Sequence, residues 1–192
     1  MSSQGGRPRD PALEAAILDA TQDLLIQHGF AATTVEAVAR AAGTGKAAVY
    51  RRWPSKIGLV IAAVQALQSP PAVPDTGTLR GDLLECAMHF VQPHRRPAMV
   101  LAGVLDEIGR NDELREAAYA AIGKPPAMAF AAVLRRWQAR GEVASSAPAD
   151  LLAGIVPAAA FRNVVFRRRA LDHRTAVDLV DFVLLPALRP TS

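Results

Sequence analysis

What this chain lacks narrows it quickly. A single cysteine, Cys86, stands among 192 residues, so no internal disulfide can form, and no paired Cys and His spacing offers a metal site. Aromatic residues make up only 5%, and there is no Asn-Gly or Asp-Gly pair to close a tight hairpin. Valine and isoleucine recur at helical spacing instead of alternating, which argues against any substantial sheet. The amino-terminal MSSQGGRPRD has no apolar core of the kind a signal peptide needs, and no uninterrupted apolar run reaches the length of a bilayer span. The expectation is a cytoplasmic protein with no resident cofactor and no membrane partner.

What the chain has is alanine and leucine throughout and 51% hydrophobic residues, enough for one large core or two small ones. That composition predicts an all-α fold, and the start, stop and periodicity signals along the chain mark about nine helices. The net charge of +4 favours an anionic partner only weakly. Its placement says more. From Lys46 to Lys56 the sequence carries Lys46, Arg51, Arg52 and Lys56 without one acid, with Tyr50 among them as a hydroxyl donor.

That segment closes a longer pattern, TTVEAVARAAGTGKAAVYRRWPSK, from Thr33 to Lys56. Thr33 and Glu36 fit a capping box that opens a short helix with Val35 and Val38 on its apolar side. Ala39 is small enough for a second helix to pack close, Gly43 permits a tight reversal, and Val49 falls where the second helix must turn inward. Two short helices joined at a glycine and ending in cations have the layout of a helix-turn-helix that docks on DNA. The alternative is a surface hairpin whose cations are merely solvated.

The pattern resembles the TetR family of transcriptional regulators over Asp10 to about Leu67, from an amphipathic helix ending in HGF, through TTVEAVARAAG, to VYRRWPSK. It departs where the family commonly has a serine before the recognition-helix lysine; here Thr44 and Gly45 stand, and Thr44 is the substitute cap. The resemblance implies an N-terminal three-helix DNA-binding domain and a C-terminal helical bundle for effector binding and dimerisation. It also implies a recognition helix over about Gly45 to Arg52. Thr44, Lys46 and Ala47 are then expected at base edges with Gly45 beside them in the DNA-binding set, and Tyr50, Arg51, Lys56 and either Thr33 or Thr34 at phosphates. Arg7 and Arg9 form a basic arm over residues 1–9. Trp53 is expected to pack in the core.

The DNA-binding unit is placed at residues 10–68, and the helix-breaking SPPAVPDTG stretch, residues 69–77, is read as a linker. Residues 78–192 are expected to form a ligand-binding and dimerisation domain. Helices are expected over about Leu79–Val91, Arg95–Gly109, Asp112–Ile122 resuming after a GKPP break as Ala127–Arg140, Ala149–Arg168 and Thr175–Leu185. Gly141 is the expected cap of the third of these, which ends at Arg140, and Pro157 is expected to kink the fourth, the penultimate helix.

A single small domain reads too few base pairs to select one genomic site, so two copies on a palindromic operator are expected. Family members dimerise through their last two helices, which here offer Ile155, Phe161, Val165, Phe166, Val177, Val180, Phe182, Val183 and Leu184. Met88, Met99, Ile108, Met128, Phe130, Trp137 and Phe161 are candidates to line a pocket for a small apolar effector, with ordinary core packing as the alternative for each. His89 and His94 could meet a polar group of such a ligand. The function these readings imply is a homodimeric repressor released from double-stranded DNA by its effector. A non-specific architectural DNA binder and a small helical enzyme are the rivals. Against the enzyme, Cys86, His89, His94 and Asp106-Glu107 fall in helical segments with no catalytic motif.

Overall fold

The computed structural model describes residues 10–188, and these form nine helices with no strand. Val91 and Leu171 make one isolated parallel bridge. Helix α1, Pro11–Ala32, starts as its sequence requires: the Asp10 carboxylate accepts the N–H groups of Ala12 and Leu13, with Pro11 in the first turn. Gly29 takes φ +71° and breaks α1 where the sequence places its end. One further turn follows, and it drives Phe30 into the interior.

The next three helices are α2 (Val35–Ala41), α3 (Lys46–Tyr50) and α4 (Lys56–Gln65). Ile17 of α1, Val35, Val38 and Ala39 of α2, Val49 of α3 and Leu59 of α4 form one buried cluster. After α4 no helix forms until α5 (Leu79–Met88), and α6 (Arg96–Ile108) follows.

The GKPP sequence does not break the chain into two helices. Helix α7 runs through residues 112–139 as Asp112–Ala118, a π-helical turn Tyr119–Gly123, and Lys124–Ala139. Pro125 and Pro126 have no N–H to return to the preceding turn, and the wider π turn absorbs that loss. The Ala121 carbonyl, which those prolines cannot serve, accepts the Gln65 amide of α4 at 3.4 Å. Helix α8 comprises Ala149–Ala153 and Ile155–Arg167, interrupted at Gly154, three residues before Pro157. Helix α9 spans residues 173–188 and again passes through a π turn, Val180–Leu184, just ahead of Pro186.

Asp112–Ala139 and Ala149–Arg167 each have the length and hydropathy of a membrane-crossing helix, although Lys124 and Arg162 interrupt their apolar runs. Part of their apolar surface packs inside the fold. Phe130, Leu134 and Trp137 of α7 pack with Val156 of α8, Leu83 of α5, and Val180 and Leu184 of α9.

Helix α1 is shared between both halves of the chain. Its Leu25 and Phe30 pack with Val60 and Val64 of α4 and with Val100, Val104 and Leu114 beyond the linker. The crossing with α6 is so close that a Cβ on Gly103 would run into the Leu25 carbonyl oxygen. Polar contacts reinforce it. Arg96 of α6 donates to the Gln22 amide oxygen at 3.1 Å and pairs with Asp23 at 2.6 Å, and buried Gln22 donates onward to the Ala63 carbonyl of α4 at 3.0 Å.

The proline-rich stretch is also tied down. Asp82 of α5 has no exposed surface and accepts from the Thr76 backbone N–H and hydroxyl, the Trp137 indole at 2.7 Å and the Arg136 guanidinium at 2.6 Å. Burial alone would raise its pKa, but the four donors together hold it below the usual carboxylate range. Arg136 also donates to the Pro74 carbonyl.

Candidate nucleic-acid interface

The turn between α2 and α3 is built as the sequence predicts. Gly43 sits at φ +66°, its N–H donates to the Arg40 carbonyl and the Thr44 N–H reaches back to the Ala39 carbonyl at 2.9 Å. This left-handed closure leaves α2's last carbonyls satisfied and reverses the chain. Two caps differ from the sequence reading. Thr34, not Thr33, caps α2, its hydroxyl accepting the Ala37 N–H at 3.1 Å. Helix α3 is capped by Gly45 with no side-chain bond, so Thr44 does not replace the missing serine.

Val49 is fully buried, and its inward orientation turns the rest of α3 outward. Lys46, Ala47 and Arg51 are exposed, Gly45 is exposed beside them, and Thr44 is half-buried. Tyr50 is 47% exposed despite its large ring. Arg52 folds back to the Ala48 carbonyl at 3.1 Å, and Trp53 packs against the cluster beneath α3, the core role expected of it.

Three expected contacts are already engaged elsewhere. Lys46 pairs with Glu36 of α2 at 2.8 Å; the hydrogen bond raises the lysine pKa and lowers that of the glutamate. Thr33 is buried, and its hydroxyl donates to the Gly29 carbonyl at 2.8 Å, which removes it from the phosphate set. Lys56 turns back toward the end of α1, donating to the Ala31 carbonyl at 3.1 Å with its ammonium 4.1 Å from the Phe30 ring centroid. Its partial burial lowers its pKa, opposed by the charge of Glu107 on α6. Arg7 and Arg9 lie outside the described residues. The sequence reading missed Arg40, an exposed cation in the last turn of α2; extending the charge search back across the turn would have found it.

In the second half of the chain, a cavity of about 240 Å³ opens among α6, α7, α8 and the segment that follows α5. Of the expected lining, Ile108 and Phe161 contribute to it, with His89. Met88 and Met99 line separate recesses, Phe130 and Trp137 are sealed in the core, and Met128 is 55% exposed on the surface. Leu101, Leu105, Ile122, Pro157 and Ala160 supply walls the sequence reading did not name. Helical periodicity marks which residues turn inward, but it does not say where packing leaves space.

The face expected at a dimer interface divides similarly. Phe161, Val165, Phe166 and Val183 are exposed, and Phe166 and Phe182 reach 80% and 75%. Val180 and Leu184 are wholly buried, and Ile155 packs against the same C-terminal core, so these three belong to the monomer interior. Val177 is half-buried. Arg168, the middle one of the three consecutive arginines 167–169, caps α8 in a left-handed conformation and pairs with Asp106 at 3.1 Å.

A helix-turn-helix with an outward cationic second helix, joined to a larger helical part, defines a DNA-binding regulator of transcription. Residues 17–63 match the family described as bacterial regulatory proteins, tetR family, and residues 73–183 match the tetracyclin repressor-like C-terminal domain. The chain belongs to the TetR family, whose members are regulators and not enzymes. It is 34% identical over 187 residues to the uncharacterized HTH-type transcriptional regulator Rv1556 of Mycobacterium tuberculosis, covering 95% of this chain and 93% of that one. It is 28% identical to the DNA-binding transcriptional repressor TetR of Mycobacteroides abscessus, covering 95% and 97%. Among solved structures, GusR of Salmonella enterica shares the fold with a TM-score of 0.76 at 18% identity, covering 95% of this chain and 99% of that one.

Proposed function

We propose that the chain is a cytoplasmic homodimeric repressor that holds a palindromic operator and releases it when a small apolar molecule enters the cavity. The observation that carries this reading is the division of α3: Val49 buried on one side, Lys46, Tyr50 and Arg51 outward on the other. Thr44, Gly45, Lys46 and Ala47 face base edges, while Thr34, Tyr50 and Arg51 hold phosphates. The likeness to a mycobacterial repressor along nearly the whole chain supports repression over activation.

Release follows from how α4 is held. Gln65 bonds to the π turn of α7, whose Tyr119 and Ile122 also line the cavity. A ligand that reshapes this wall moves α4, and α4 packs on the helix-turn-helix cluster through Leu59. Such a ligand must bind the DNA-incompetent state more tightly, by the free energy of coupling.

Selection of binding sequences from a random duplex library tests the reading. The expected result is an inverted repeat preferred over random duplex by at least about a thousandfold at moderate salt. Enrichment of no sequence would favour the architectural rival, and enrichment of an isolated half-site would remove the dimer from the account.

A further inference from the structure

We propose that the cavity selects an uncharged, compact, largely apolar molecule carrying one hydrogen-bonding group, and that His89 is the residue that meets that group. This rests on reading the cavity as the effector site. Among the described residues that line it there is no aspartate or glutamate. A cation entering would lose its hydration with no counter-charge to replace it, a cost of several kcal/mol for a buried ion. The one formal charge in the wall is Arg115. Its guanidinium is paired with Asp112 one turn earlier on α7, and half its side chain remains in solvent, so an anion would have to compete with Asp112 for a charge that water already screens.

The interior is aliphatic and aromatic, built from Leu101, Leu105, Ile108, Ile122, Phe161 and Val164. Gln68, Gln92 and Tyr119 also bring polar groups to the wall, but Tyr119 is 64% exposed and the Gln92 amide is turned to the backbone of His89. The His89 ring lies edge-on to Phe90, with centroids 5.1 Å apart, and among the described residues neither ring nitrogen has a hydrogen-bond partner; the bonds at this residue are made by its backbone, whose N–H donates to the Ala87 carbonyl and whose carbonyl accepts from the Gln92 amide. Burial lowers its pKa below the ordinary histidine value of 6.5. At neutral pH it is therefore an uncharged imidazole offering one donor and one acceptor. A volume of about 240 Å³ falls below the ~300 Å³ at which pockets for drug-sized molecules begin, so the ligand is small.

Three matched probes test this on the full-length protein at pH 7.5: 2-naphthalenemethanol, 2-naphthoate and 2-naphthylmethylammonium, each titrated calorimetrically. The alcohol is expected to bind at least about tenfold more tightly than either ion. His89→Leu should weaken it by about fivefold, the worth of one hydrogen bond, while His89→Gln restores it. Ala160→Phe, which fills the cavity, should abolish alcohol binding, with thermal unfolding confirming that each variant is folded. If either ion binds as tightly as the alcohol, the selection for neutral ligands fails while the cavity remains an effector site. An alcohol affinity indifferent to His89→Leu removes His89 from recognition. If no probe binds, or binding survives Ala160→Phe, the effector-site reading fails and this inference with it.

Discussion

Single side chains show where identity and engagement part company. Lys46 and Lys56 are equally basic in the sequence, yet Lys46 lies exposed against Glu36 and Lys56 folds onto Phe30 and the Ala31 carbonyl. Lys46 can read a base only by leaving Glu36, so the acid competes with DNA for the lysine. Glu36→Gln should therefore tighten binding to operator and random duplex alike, by no more than about fivefold, the range of exposed ion pairs. Tyr50→Phe should act in the opposite sense, weakening both by about fivefold through loss of a phosphate hydrogen bond. Fluorescence anisotropy on both duplexes checks the pair, and a Tyr50→Phe loss confined to operator would contradict the phosphate assignment. Cys86 takes no part at this scale: burial pushes its thiol up to about 12, which leaves it protonated and unreactive.

At the scale of elements, the helix-turn-helix was legible because its signals are local. A cap, a small residue, a left-handed glycine and a buried valine within one short segment constrain one another, and only the two capping threonines, Thr33 and Thr44, were misassigned. The helices of the second half were legible in number but not in continuity. Two prolines in GKPP read as a break; the structure carries the helix through by widening one turn, and the Gln65 amide reaches the carbonyl the prolines abandon. No local pattern reports a partner 56 residues away. The α1–α6 crossing is equally non-local. Gly103→Ala should force Leu25 away and destabilise the fold by about 1–3 kcal/mol, as overpacking does, whereas Gly109→Ala, with open space around it, should change little. Urea unfolding midpoints of the two variants compare them directly.

For the whole molecule, the exposed phenylalanines on the last two helices are its most conspicuous surface. Phe166 and Phe182 would sit in water on an isolated chain, an arrangement that marks an interaction surface. Replacing both with aspartate should weaken dimerisation by at least about 2 kcal/mol, as loss of a buried anchor does, and shift the sedimenting species from dimer to monomer. Operator affinity should fall with it, while helix content stays near that of the parent. A variant that remains dimeric would place the interface elsewhere. The same face shows how far sequence goes: it identified the apolar helices, but Val180 and Leu184 turn into the core and Phe166 and Phe182 turn out of it, a division set by α5 and α7 packing on one side only.

The sequence by itself determined the helical class, the reading helix and its charge, and the family, because each rests on residues within a few turns of one another. Tertiary structure alone decided which cations are free, where the cavity opens and which apolar side chains remain outside. Those outcomes depend on what packs against each helix from distant parts of the chain, and side-chain spacing along one helix holds no record of it.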